Sequence, residues 1–461
     1  MDRRMFLASG AMSLLSLKAV SGTAFAGTTL PLMPARMAES LCESYMVNTK
    51  IFYASSVYGH TDAVVDLLKD LGVRTVRERI STGTSSGTRN QQSAMLRLAA
   101  AGTKWHGTVS TIEQWRNAGA ANKQVLDRLT EYYTPRLGGD LSLLMRSLGG
   151  VNEIDNPHNG PDWAKHARLM QTALWDQATA RSATRDIPVA GPTTRSDYTR
   201  ERAAKLGDLS AITDVGAFHY YNGGTSPTRG ISERIAISRP NFPDTQRWIV
   251  CETGYNDSPQ DNKNVTVPES ASATYVVRGI CDFFKRNAVY GRFELLDDPD
   301  AIDRTSQATI NRTADIQAHF GLVAMTKTTV STATPSTWRK KPEYYATKRF
   351  LDLLSDRGRA FSPSGLRMKV TGGGNDVQQL LVQKRDGRHY VMLWRDVVVA
   401  KPYPSGSTIK VDPVNVTLQF SPARPTAVYA PGRGPTPIAK KSSSDRVTVA
   451  LGGDLLVVEI G

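Results

Sequence analysis

The chain has 461 residues, with 57 Lys and Arg against 43 Asp and Glu for a formal net charge of +14. Its basic residues are scattered rather than gathered into a tract and no nucleic-acid motif accompanies them, so a nucleic-acid partner is not expected. Three cysteines, Cys42, Cys251 and Cys281, allow at most one disulfide and lack zinc-site spacing, which excludes a disulfide framework and a structural zinc fold.

Taken in chain order, residues 1–26 combine a basic start, an apolar stretch from Met5 to Leu17, and small residues at Ala24 and Ala26. This pattern predicts an export signal cleaved after Ala26. Arg3-Arg4 followed by Met5-Phe6-Leu7 resembles the twin-arginine type that exports folded bacterial proteins, so a periplasmic or extracellular location is expected. No later apolar run is long enough to span a bilayer. From about residue 50 to 355, short Val- and Ile-rich runs alternate with helical patterns, the texture of parallel βα units. The predicted strands are Ile51 to Val57, Val73 to Glu78, Thr103 to Val109, Leu143 to Val151, Ile187 to Gly191, Val215 to Tyr220, Trp248 to Glu252 and Gly291 to Leu296. Thr61 to Leu71, Trp163 to Ala180 and Tyr275 to Asn287 read as helices, the first with Val64, Val65, Leu67, Leu68 and Leu71 on one face. Eight such units predict a (β/α)8 TIM barrel over residues 27–360.

After about residue 366 the helical patterns stop. Gln379 to Trp394 is an apolar segment broken by Arg385-Asp386-Gly387, the signature of a hairpin turn. Val411 to Phe420, Thr426 to Tyr429 and Val447 to Ile460 are further strand candidates between Pro and Gly clusters. Residues 361–461 therefore read as a small antiparallel β-sandwich. The junction has no long Pro, Thr or Ser tract, so this tail is expected to pack on the barrel as part of one rigid unit.

Barrel enzymes carry their chemistry at the carboxyl ends of the strands. Glu153, in "GGVNEIDNP", ends the fourth predicted strand, and Glu252, in "WIVCETGYN", ends the seventh. Two carboxylates facing each other across a barrel mouth suit glycosidic cleavage, one protonating the leaving oxygen and the other acting at the anomeric carbon. Cys251 is expected to point away from the mouth, into the packing between strand and helices, by strand alternation.

This constellation resembles the clan A glycoside hydrolases, retaining enzymes on a (β/α)8 barrel with Asn-Glu ending strand four and a nucleophilic Glu ending strand seven. The resemblance implies that Asn152 binds substrate, Glu153 is the acid/base and Glu252 the nucleophile. Arg77 in "GVRTVRERI" matches the basic residue beside the nucleophile; His219 and Tyr221 in "FHYYNGG" match a His-x-Tyr pair, and His106 in "KWHGT" is a weaker match. "LLKDLGVRTVR", "HFGLV" and "KPEYYATKRFLDLL" are also similar to the clan, and a barrel followed by a β-sandwich is most similar to family 39, with families 5, 30 and 51 as neighbours. One departure is Ile154, where the clan has proline; Pro157 comes three residues later. The implied activity is an exported retaining hydrolase of oligo- or polysaccharides, needing no metal and no cofactor.

Other residues read two ways. Glu294 in "FELLDD" could line the pocket, while Asp297, Asp298 and Asp300 read as a solvated loop in preference to a calcium-binding turn. Trp105 and Tyr220, near strand ends, are candidates for stacking on a sugar ring or for plain core packing. The competing function classes are a carbohydrate-binding envelope protein on a barrel that has lost hydrolysis, a structural or adhesive envelope protein, and a metal-dependent barrel hydrolase. Seven histidines without a His-x-His pair or HExxH give the last no visible ligand set.

Overall fold

A computed structural model of the chain describes residues 29–245, 247–258, 265–297, 316–326, 331–402 and 405–461. The expected export signal, Asp298 and Asp300 lie outside the described residues.

Seven strands form a parallel sheet: Tyr45–Asn48, Thr75–Arg79, Lys104–Thr108, Met145–Gly149, Gly216–His219, Trp248–Thr253 and Ala288–Arg292. The first and last pair with each other through Tyr45 and Tyr290, so the sheet curls back on itself. Between Met145–Gly149 and Gly216–His219 the pairing runs through single parallel bridges, Leu148 to Val189 and Ala190 to Val215. The predicted fifth strand is thus reduced to a two-residue stave. The predicted first strand is displaced: Tyr45–Asn48 forms it, and the residues from Ile51 to Val57 are turns whose apolar side chains pack without pairing.

Helices cover the outside of this sheet for the reason the periodicity gives. Thr61–Leu71 buries Val64, Val65, Leu68 and Leu71 on one stripe and ends at Gly72, whose φ of 74° is left-handed and open to glycine without strain. Trp163–Ala180 and Pro342–Leu354 bury their own stripes in the same core, and Glu269–Lys285 is buried nearly all round. Among the described residues no helix is long and apolar enough to cross a membrane.

The tail forms an eight-stranded β-unit whose pairing is antiparallel apart from one short parallel pair. Val414–Tyr429 is its long member: its first half pairs with Leu366–Gly372, its second with Leu456–Ile460, and its register with Ala439–Leu451 shifts between Gln419 and Thr426. Alternation along the central strands splits their apolar side chains. Leu380, Val382, Met392, Trp394 and Val457 join the barrel's core, while Leu381, Val391, Leu393 and Val458 face a second core within the β-unit. The boundary near residue 27 needs amending: Leu32–Met33 pairs with Leu366–Gly372 and Arg36–Met37 with Val377–Gln383, so the described N-terminus belongs to the tail's sheet. Arg278 crosses the junction, donating to the Val397 carbonyl at 2.8 Å.

Candidate active site

The site is assembled at the carboxyl end of the parallel sheet. Arg77 from the second strand places Nη1 2.7 Å from Glu252 Oε1 on the seventh. Tyr221, two residues beyond the sixth strand, donates its hydroxyl to Glu252 Oε2 at 3.0 Å. His219 Nδ1 stands 3.1 Å from Glu153 Oε1 and 3.4 Å from Glu252 Oε2, between the two carboxylates. Glu153, His219 and Glu252 each offer an atom within 4.8 Å of the others. Arg77 Nη2 also donates to Asn152 Oδ1. Five of the nine residues singled out from the sequence, Arg77, Asn152, Glu153, His219 and Tyr221, thus surround a sixth, Glu252.

Electrostatics separates the two carboxylates. Burial works to raise the Glu252 carboxyl; His219, the Arg77 charge, and hydrogen bonds from Arg77 and Tyr221 outweigh it and hold the group below the usual carboxylate range. The Tyr221 phenol is driven well above its ordinary value, first by burial and then by Glu252, so it remains a donor. Arg77 has no such contact with Glu153, whose side chain is 34% exposed against 14% for Glu252.

The chain presents Glu153 through an unusual turn. Its φ is 43°, left-handed for a residue with a side chain. Its N–H donates to Thr193 Oγ1 at 3.0 Å, and the Ile154 N–H donates to the Thr193 carbonyl at 3.1 Å. Buried Asp155 accepts from the Arg195 N–H and from Arg202, tying the loop to the next crossover. Ile154 itself is fully buried. A proline here would have no N–H to give Thr193.

Glu252 reaches the mouth because the seventh strand is bulged. Val250 pairs with Tyr290 and Thr253 with Arg292, so one extra residue is accommodated between them, and the register toward the sixth strand shifts at the same level. This overturns the expected orientation of Cys251. Its thiol lies in the sheet's interior, 3.7 Å from His106 Nε2, because the bulge lets consecutive residues point inward. The thiol is buried as expected and pushed up to about 12 by that burial. His106 is also buried, bonded to Ser147 Oγ at 2.7 Å and held down to about 3, first by burial and then by Arg77. It is a neutral interior residue beneath the site and makes no wall that a sugar could touch.

Trp105 is fully buried, donates its indole N–H to the Glu78 carbonyl at 3.0 Å and packs edge-on against Tyr133. It serves the core, and the sugar-stacking expectation is withdrawn. Glu294 is likewise fully buried and accepts from Lys50 Nζ at 2.9 Å and from the Tyr58 hydroxyl at 2.8 Å, so it is no exposed pocket wall. Aromatic surface near Glu252 comes instead from Tyr221, with Phe293 and Phe320 packed against it. Asp297 is buried, contrary to the solvated-loop reading, because Lys341 lies 2.9 Å from it and 2.7 Å from Asp257. Burial pushes Asp297 up to about 6. Asp257, Asp297 and His319 are grouped as metal ligands would be, as are Glu153, His219 and Glu252, yet a lysine and an arginine already supply the compensating charge in the two clusters.

Two polar residues escaped the sequence reading. Thr193 follows the short fifth stave and holds the Glu153 turn. Asn48 ends the true first strand and accepts from Arg77 Nη1 at 2.7 Å. A correct placement of the first strand would have exposed Asn48 as a polar residue closing an apolar run.

No protein-family model matches the chain, and no curated protein sequence matches it significantly. Solved structures share its fold. A glucosidase from Croceicoccus marinus superposes with a TM-score of 0.56 at 12% identity, covering 86% of this chain and 91% of that one. A bacterial orthologue of human α-L-iduronidase gives 0.54 at 10% identity, covering 94% and 82%. An endo-β1,6-glucanase gives 0.53 at 11% identity, covering 95% and 96%. These neighbours are TIM-barrel glycoside hydrolases, and at such identities the likeness is one of fold.

Proposed function

We propose that this chain is a retaining glycoside hydrolase of clan A, on a (β/α)8 barrel with a C-terminal β-sandwich, nearest family 39, with Glu153 as acid/base and Glu252 as nucleophile. The observation that carries the reading is the asymmetric carboxylate pair: oxygens within 4.8 Å, with the arginine and the tyrosine hydroxyl on Glu252 alone. Retaining enzymes hold their two carboxyl groups about 5 to 5.5 Å apart, whereas inversion needs a wider gap for water.

In the first step a Glu252 oxygen bonds to the anomeric carbon while Glu153 gives its proton to the glycosidic oxygen, whose bond to that carbon breaks and releases an alcohol. In the second, Glu153 takes a proton from water as the water oxygen attacks the same carbon. The ester to Glu252 breaks, its electron pair returns to the carboxylate, and the sugar leaves with its configuration retained. Arg77 and Tyr221 stabilise Glu252 as an anion before attack and as a leaving group afterwards. Asn152, oriented by Arg77, faces the sugar beside the dyad.

The substrate is an oligo- or polysaccharide. With residues 1–26 acting as an export signal, the protein meets it in the periplasm or outside the cell. The test is a screen of aryl glycosides and polysaccharides with the chain from Gly27 onward, followed by proton NMR of the first-formed anomer. Turnover with retention is expected. Inversion would exclude the double displacement, and glycan binding without turnover would favour the carbohydrate-binding alternative.

A further inference from the structure

We propose that Asn48 is a positioning residue for the nucleophile: its side-chain amide braces the bulged end of the seventh strand and fixes the Arg77 guanidinium that faces Glu252. The inference rests on reading Glu252 as the nucleophile.

Asn48 is buried, and both ends of its amide are used. Oδ1 accepts from Arg77 Nη1 at 2.7 Å, the same nitrogen that lies 2.7 Å from Glu252 Oε1. Nδ2 donates to the Cys251 carbonyl at 2.9 Å and to the Arg292 carbonyl at 3.2 Å. The Cys251 carbonyl lies in the bulge, between the pairs Val250 with Tyr290 and Thr253 with Arg292, and the Arg292 carbonyl lies on the neighbouring strand, which pairs with the first strand through Val47. The side chain therefore gives buried backbone acceptors a donor at the point where strand pairing gives way. It also connects the residue before the nucleophile to the cation opposite it.

The chemistry selects an amide. One face must accept from a guanidinium and the other must donate to two carbonyls, and the short Asn side chain does both. Aspartate would set a carboxylate oxygen against two carbonyl oxygens, and alanine would take a donor from the Cys251 carbonyl and an acceptor from Arg77 Nη1. Asn152 holds Arg77 Nη2 from the other side, so two amides from the first strand and the loop after the fourth bracket the fork. Arg77 Nε has no partner of its own, which leaves orientation to these terminal contacts.

The groups facing Glu252 are Arg77 from the second strand, His219 and Tyr221 from the sixth strand and its loop, and Glu153 from the fourth, with Cys251 adjacent on its own strand. Those facing Arg77 include His106 and Cys251 beneath it. Of the side chains among these, Asn48 touches that of Arg77, so loss of Asn48 acts on Glu252 by freeing the arginine. The ionised nucleophile is then less favoured, and it protonates at higher pH.

The experiment compares Asn48→Ala and Asn48→Asp with the parent, over a pH series, on the best aryl glycoside. The expected result is a fall in kcat of about tenfold or more with KM changed less, and an acid limb moved to higher pH in both variants. Asn48→Ser, a smaller change, covers the case in which either variant fails to fold. A pH profile superimposable on the parent's, even with a lowered melting temperature, would overturn the proposal by making Asn48 a purely structural brace. Carbon NMR titration of labelled glutamate carboxyls, with Glu252 identified by its loss in Glu252→Gln, reads the same shift without turnover. If the parent cleaves no glycoside, the glycosidase reading fails, while the titration still decides the role of Asn48.

Discussion

Replacing Ile154 with proline tests how the acid/base is held. The clan resemblance makes proline the expected residue here, so sequence comparison alone treats Ile154→Pro as benign. The structure gives the opposite expectation. The Ile154 N–H donates to the Thr193 carbonyl at 3.1 Å, and removing it leaves a carbonyl short of a partner at about 1–3 kcal/mol. The fully buried Ile154 side chain would be exchanged for a smaller ring, adding about 0.5–1.5 kcal/mol for lost packing. Together these come to about 1.5–4.5 kcal/mol, a large share of a domain's net stability. Proline also pushes the preceding residue toward extended backbone, and that residue is Glu153 at a φ of 43°. The acid/base carboxyl should therefore move as well. Urea unfolding measures the first effect, and the ratio of kcat/KM for poor against good leaving groups measures the second. Poor leaving groups should suffer several-fold more, because only they depend on protonation. A variant as stable as the parent with an unchanged ratio would refute the idea that Thr193 and Ile154 set the turn.

Further outcomes follow from the same geometry. Glu252→Ala should abolish turnover, while Glu153→Ala should spare substrates with very good leaving groups and be rescued by azide; equal rescue of both by way of the same anomer would cancel the role assignment. Arg77→Met removes a charge-assisted hydrogen bond worth about 1.5–3 kcal/mol, so kcat/KM should fall about 10- to 100-fold. The sign for pH is fixed too: Arg77 and His219 hold Glu252 low, activity needs it ionised, and the variant's acid limb should move to higher pH in a pH-rate profile. A chain ending near Asp356 should be insoluble or much less stable, because it strips the β-unit from the shared core and leaves Leu32–Met33 and Arg36–Met37 without partners. A soluble, monomeric and active truncation on gel filtration would contradict this.

The parts of the fold legible in the sequence were those written in local periodicity. Thr61–Leu71 shows its buried stripe in its spacing, and the turn in Lys384–Arg388 announces the hairpin between Val377–Gln383 and His389–Arg395. Burial without pairing was not legible. Ile51, Val57 and Tyr58 are as buried as strand residues, but they pack as a loop over the mouth, so an apolar run there mimicked a strand. Two-residue strands such as Leu32–Met33 are too short for any period to register. Asp297 read as solvated because its partner, Lys341, is 44 residues away. A contact at that separation leaves no mark on the local pattern, although it decides whether a carboxylate can be buried.

The site followed the same division, and among its misjudged side chains Cys251 explains how Glu252 is presented. Glu153 and Glu252 could be found because they close predicted strands, and Arg77, Asn152, His219 and Tyr221 because the short motifs around them resemble those of clan A. The orientation of Cys251 could not, since the period of two holds only while the ladder is intact. At the bulge, Cys251 and Glu252 both turn inward, the first toward His106 and the second toward Arg77. Regular pairing would have aimed only one of the two into the interior. A bulge at this level therefore does what no single substitution could: it sets the carboxylate at the rim while its neighbour's thiol fills the layer below. At the bulge the Asn48 amide reaches the Cys251 and Arg292 carbonyls and Arg77 together. The irregular backbone and the buried amide are one device. The residue that braces Glu252 lies on the barrel strand farthest from it in sequence.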